Sequence, residues 1–179
     1  MSPETDPKGR TIQVTGVSRV SVSDTIAVPA TTDYAAEDVL SDSATVGTYL
    51  TFEDVVAEEG GSGTITSAIV ICQTTNVTHR PTLYLYKAAP TSNLNDNAAN
   101  AAPAWADREG YIGKILFPAL SDKGGATETE VVPGEGEVPK PFTCGNGLRD
   151  IYGILITEDA ITSEVATHSY FISLLVDQN

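Results

Sequence analysis

The side chains that could do chemistry in this chain are few and poorly grouped. Its two histidines, His79 and His168, stand far apart and flank apolar strand-like runs, where a structural or exposed imidazole is the ordinary outcome. Serines are plentiful, yet no Gly-x-Ser-x-Gly elbow occurs. The Gly60-Gly61-Ser62-Gly63 run follows two glutamates and lacks the lysine and the helix that a phosphate-cradling loop needs. Adjacent carboxylates occur at Glu53-Asp54, Glu58-Glu59 and Glu158-Asp159. Neighbours in a strand point to opposite faces and neighbours in a turn are solvated, so adjacency alone makes no acid/base pair. Asn93, Asn95, Asp96 and Asn97 offer oxygens to calcium, but the set has a single carboxylate and no distal glutamate. Cys72 and Cys144 lack CxxC spacing and read as separate reduced thiols. The sequence therefore points to no catalytic residue, no metal site and no cofactor, and the expectation is a protein that is not an enzyme.

Aromatic residues offer the one pattern that could recognise a ligand. Trp105 and Tyr111, with Tyr84 and Tyr86 nearby in sequence, could stack on a sugar ring. Tyrosine and tryptophan also fill cores and subunit contacts with their polar ends reaching water, and packing is the expected role here. Glycan stacking on Trp105 and Tyr111 stands as the alternative.

Charge narrows the partners. Ten basic against twenty-four acidic residues leave a formal charge of -14, which repels a phosphate backbone and an anionic bilayer alike. Neither nucleic acid nor membrane is an expected partner. No apolar run approaches the roughly twenty residues of a membrane span, and the polar start MSPETDPKGR lacks the apolar core of a signal peptide, so the cytoplasm is the expected place of synthesis.

The elements that must position these residues read as strands. Residues 63–90 hold two apolar, β-branched runs, Ile65 to Cys72 and Leu83 to Tyr86, joined through Thr74, Thr75 and Asn76 and read as the central strands of a sheet. Further strands are expected over residues 49–57, 111–120, 126–132, 150–157 and 168–176. Ile69, Ile71, Leu83, Leu85, Ile115, Phe117, Ile154, Ile156, Phe171 and Leu174 are expected to share one core. Residues 91–105, rich in Asn and Ala without a period, read as an extended surface loop, and Pro133, Pro139 and Pro141 argue against a central strand between 133 and 141. Eight or nine strands with unequal loops and no helix predict an all-β fold, a two-layer antiparallel β-sandwich of jelly-roll type.

The start of the chain stands apart. Residues 1–10 are a polar tail, and the following stretch alternates Thr11, Ile12, Val14, Val17, Val20 and Val22 with small polar residues. It is either the first strand of the domain or an extended N-terminal arm that pairs with a partner's sheet edge. The expected division is a tail and arm over 1–32 and a sandwich domain over 33–179.

Tyr34 to Ala36, Leu83 to Tyr86, Ala89-Pro90 followed by Asp96-Asn97, and Tyr111 to Gly113 occur in an order that resembles small virion structural proteins of tailed bacteriophages. The resemblance covers residues 33–176 and leaves 1–30 unmatched. It implies a non-enzymatic auxiliary or decoration protein on the capsid shell, located in the virion after assembly in the host cytoplasm. The implied partners are the major capsid protein or other virion proteins, together with contacts between copies. A tail or fibre component, or a carbohydrate-binding module on the virion surface, is the alternative.

Overall fold

The computed structural model describes residues 4–5, 11–12, 18–29, 33–162 and 167–179. Strands β1 (Glu4–Thr5) and β2 (Thr11–Ile12) pair with each other. The body begins with β3 (Ser18–Val28), β4 (Val39–Leu40), β5 (Leu50–Phe52), β6 (Ser62–Cys72) and β7 (Pro81–Tyr86). After a 3₁₀ turn at Trp105–Asp107 follow β8 (Tyr111–Leu116), β9 (Ser121–Asp122), β10 (Thr127–Val131), β11 (Lys140–Thr143), β12 (Ile151–Thr157) and β13 (His168–Gln178). Among the described residues there is no α-helix, so no helix is long and apolar enough to cross a membrane.

One sheet runs β3-β13-β6-β10-β9, with β11 extending β10 along β6, and the other runs β4-β12-β7-β8, with β5 extending β4 along β12. Counting each interrupted strand once and setting the short β9 aside, the eight positions are ordered 1-8-3-6 in one layer and 2-7-4-5 in the other, every neighbour antiparallel. That is the double Greek key of a jelly-roll sandwich.

Alternation drives the layering. Along β13 every second residue from His168 to Val176 is buried, and along β10 the buried residues are Thr127, Thr129 and Val131. Ile65, Val70, Leu83, Leu85, Ile115, Leu155, Ile172 and Leu174 meet between the sheets in the main core. A second, smaller core lies on the far side of the β4-β12-β7-β8 sheet, where Val39, Tyr86, Ile154 and Ile156 are covered by Leu94 and Ala102 of the β7–β8 connection. That connection, read from sequence as a surface loop, is a lid over an apolar sheet face. Backbone bonds fasten it, including Asn97 N–H to Val39 O at 2.9 Å and Asp96 N–H to Ser43 O at 2.8 Å.

Several sequence expectations are corrected. The two runs between 63 and 90 do not pair with each other: β6 and β7 lie in opposite sheets, joined by an arch, because each finds a longer partner elsewhere. Ile154 and Ile156 belong to the small core, and Ile69, Ile71 and Phe171 face outward, so the expected single core splits three ways. The expectation drawn from the prolines is not among these: β11 contains Pro141 but is no central strand, since among the described residues it pairs with β6 alone.

The start of the chain also reads differently in three dimensions. β3 pairs with β13 residue for residue, from Ser18 opposite Gln178 to Val28 opposite His168. Val20 and Val22 therefore belong to a strand of the sandwich, with Val22 in the main core, so among the described residues the sandwich includes Ser18–Val28. The cause is burial: Val22, Ile26 and Val28 all turn inward, which a free arm could not offer them. Thr11 and Ile12 lie in β2, while Val14 and Val17 fall outside the described residues.

Candidate assembly surface

The histidines and most of the aspartates are committed to structure. His79 and His168 are both buried and pack edge-on against Tyr170, with ring centroids 5.7 and 5.1 Å away. Burial, opposed by the nearby Asp159 carboxylate and aided by His168, lowers the His79 pKa to about 4, so this ring is a neutral core group. The aspartates act as loop fasteners. Asp107 accepts hydrogen bonds from the backbone N–H and hydroxyl of both Thr91 and Ser92; its burial would raise its pKa, but these donors hold it below the usual carboxylate range. Asp96 accepts from Tyr34 Oη at 2.9 Å and from Ser41 N–H at 3.0 Å, and burial raises its pKa against those bonds.

The other carboxylates repeat the pattern. Asp38 accepts Ala35 N–H, Asp42 accepts Thr48 N–H and Asp150 accepts Asp54 N–H. Of the adjacent acids, Glu158 accepts the Thr82 hydroxyl, Asp159 pairs with Arg80 and Asp54 with Arg149, while Glu58 and Glu59 are exposed. Hydrogen bonding to Arg80 depresses the Asp159 pKa to about 2. The asparagine loop is tied the same way, with Asn93 Oδ1 accepting Asn95 N–H and Asn95 Oδ1 accepting Gly47 N–H. Among the described residues no group of three or more His, Cys, Asp or Glu side chains could hold a metal ion. Cys72 and Cys144 are both free and buried, and burial pushes the Cys144 thiol up to about 11.

The glycan platform is not assembled. Tyr111 is half-buried and packs at a tilt against Tyr84 and Tyr86, with centroids 6.2 and 5.5 Å away, at the margin of the small core. Trp105 is 81% exposed on its 3₁₀ turn, and its ring is covered by the Arg108 guanidinium at 4.7 Å. No ring contact joins Trp105 to Tyr111 among the described residues.

What the fold does present is a bare apolar sheet face. On the outer side of the β3-β13-β6-β10 sheet, Ile71 stands opposite Phe171, and Ile69 sits diagonal to Phe171 and Leu175 through its pairing with Ser173. Ile69 and Phe171 are each 37% exposed, and Ile71 and Leu175 are half-buried. Ser21, Ser23 and Thr25 of β3 border the patch on one side and Glu128 and Glu130 of β10 on the other. An apolar centre inside a polar rim is the anatomy of a protein contact. Sequence reading missed it by counting both faces of β6 and β13 as interior. The readable sign was that residues of both parities are apolar in Ile69-Val70-Ile71 and in Leu174-Leu175-Val176, which means two apolar faces, of which a sandwich covers one.

No family model matches the chain and no curated protein sequence is similar to it. Among solved structures, similarity is found to a protein in the full particle of Israeli acute paralysis virus (TM-score 0.40, 9% identity, covering 99% of this chain and 79% of that one). The decameric BFDV capsid protein gives a TM-score of 0.35 at 11% identity, covering 92% of this chain and 99% of that one. A protein of black queen cell virus gives 0.34 at 11%, covering all of this chain and 77% of that one. These scores are low, and the fold assignment rests on the strand order.

Proposed function

We propose that this chain is a non-enzymatic structural protein of a virion, and within that class an auxiliary or decoration protein seated on the shell of a tailed-phage head. The observation that carries the reading is the bare outer face of the long sheet. Leaving Ile69, Ile71, Phe171 and Leu175 together at the surface costs solubility unless a partner covers them, and each half-exposed side chain gains roughly 1 kcal/mol from being covered. The commitment of histidines and aspartates to packing and loop fastening supports a structural role, and the order of motifs from Tyr34 to Gly113 supports the phage assignment.

The test is the double variant Ile69→Asp with Phe171→Asp. Both side chains are partly exposed on the outer face, so the expected result is a protein that still folds, with a melt lowered by the new aspartates beside Glu130, and that loses retention on purified particles at temperatures well below that melt. Full retention would overturn the assembly reading. Cryo-EM of the particle then separates its branches: density spread evenly over the head supports decoration, and density confined to the tail supports a tail component. Trp105 alone, exposed and without Tyr111 against it, supports one further reading, glycan binding through a single ring rather than the expected pair. Glycan-array binding abolished by Trp105→Ala, with particle retention intact, would favour it.

A further inference from the structure

The free edge of β3 is a site of a different kind. β3 ends its sheet, so among the described residues one of its two sides is unpaired over eleven positions. The direction of its backbone groups follows from its neighbour. The Ser169 carbonyl of β13 accepts Gln73 N–H, which continues β6, so odd-numbered residues of β13 turn their backbone groups toward β6 and even-numbered ones toward β3. With Tyr170 opposite Ile26 and Ile172 opposite Asp24, the even residues of β3 bond to β13 and the odd ones turn outward. Thr25 N–H is taken by Asp24 Oδ1 at 2.7 Å, in keeping with that direction. Ser21 and Ser23 turn their N–H and C=O groups outward from the middle of the strand, with no backbone partner among the described residues.

Natural sheets blunt long edges with charged side chains, inward-pointing charges, proline or a bulge. β3 contains no proline and its register with β13 is unbroken; its two charged side chains are both taken up, Arg19 by Asp177 near the start of the strand and Asp24 by backbone donors. Its inward-facing Asp24 is tied across the sandwich by accepting Thr51 N–H at 2.6 Å. Beside the edge runs an open groove of about 520 Å³, with residues 20–24 on one wall and Thr51, Glu53 and Asp54 on the other. Valines 20 and 22 give it an apolar part, and three carboxylates give it a negative rim. Asp54 is paired with Arg149, but Glu53 is exposed and has no hydrogen bond or ion pair among the described residues.

We propose that this edge and groove accept an extended basic segment of a partner protein, which adds a strand antiparallel or parallel to β3. Its backbone would bond to Ser21 and Ser23, with apolar side chains over Val20 and Val22 and a lysine or arginine reaching Glu53 and Asp24. A second copy of this chain fits less well, because joining two β3 edges would bring two acidic rims together on molecules that each carry a charge of -14. The proposal stands apart from the virion reading, since it concerns the edge and not the outer face.

The experiment uses the full chain and two synthetic ten-residue peptides that alternate Thr with a series sharing the other face, Val, Val, Lys, Lys, Lys in one and Val, Val, Glu, Glu, Glu in the other, so that apolar and charged side chains reach the groove together. Binding is followed by fluorescence polarisation at low and high salt, and hydrogen exchange reports on the amides of β3. The expected result is binding of the lysine peptide only, weakened by salt, with protection gained at Ser21 and Ser23. Ser23→Pro, which removes an outward N–H without touching the β13 ladder, should cost about tenfold in affinity. Glu53→Lys should weaken the lysine peptide while leaving the melt unchanged, and it serves if the proline variant fails to fold. Equal binding of both peptides, no binding of either, or protection confined to other strands would overturn the proposal. So would a wild-type dimer abolished by Ser23→Pro, which would make the occupant a second copy.

Discussion

At the scale of residues, the contrast between buried and exposed positions sets what each substitution should do. Leu85 is fully buried between the sheets, so Leu85→Ala leaves a cavity and should cost about 2 to 5 kcal/mol in urea unfolding. Asp107 shows how a polar residue can matter as much. Its carboxylate gathers the exposed Thr91 and the buried Ser92, and Asp107→Ala leaves the Ser92 donors unpaired, an expected loss of about 1 to 3 kcal/mol. Trp105, the sole tryptophan, lies two residues away, so its emission should change as a local report on the same variant. Little of this was readable beforehand. Alternation in β7 placed Leu85 inside, but nothing near Asp107 in sequence announces that residues 91 and 92 would come to rest against it.

At the scale of elements, the lid over the second core depends on close backbone contact. A Cβ on Gly47 would sit 1.7 Å from the Leu94 carbonyl oxygen, so Gly47→Ala must push the β7–β8 connection away from the sheet. The expected cost is about 1 to 3 kcal/mol, with faster protease cleavage between residues 91 and 104 and greater dye binding as Tyr86, Ile154 and Ile156 are uncovered. β3 is the second case. A chain beginning after Val28 loses the strand that pairs with all eleven residues of β13, and it should aggregate or melt far below the intact chain. A truncated chain with an unchanged melt would make β3 dispensable and restore the arm expected from sequence. Strand content was legible because the period of two is local; the partner of each strand was not, because pairing is made between residues far apart in the chain.

At the scale of the whole molecule, acid should weaken the fold in two stages. An unfolded His79 takes up a proton near its ordinary value of 6.5, while the folded ring does so only near 4. The unfolded chain therefore binds more protons in that window, and the stabilisation is complete above 6.5 and falls as pH drops toward 4. Between pH 7 and 5 the loss should be about 2 kcal/mol. Neither ring nitrogen of His79 has a hydrogen-bond partner among the described residues, so His79→Leu should be tolerated and should remove most of that slope in urea melts at the two pH values. A slope unchanged in the variant would assign the acid response to other groups. Further down, Asp159, whose pKa is held near 2 by Arg80, adds stabilisation that is present above the ordinary carboxylate range and is lost as pH falls toward 2.

The same division between local and distant information runs through the molecule as a whole. Composition and period alone determined an all-β, acidic chain with short-sided strands and no grouped catalytic side chains, since charge, apolar spacing and turn residues are properties of neighbours in sequence. Tertiary structure decided which of two apolar faces each strand would hide. It buried Tyr86 and Ile156 under a loop with no period of its own, left Ile69 and Phe171 at the surface, and drew β3 into the sandwich. The physical reason is that a strand with apolar residues on both sides has no preference of its own for either. The choice is made by whichever distant segment arrives to cover one side and leave the other to a partner.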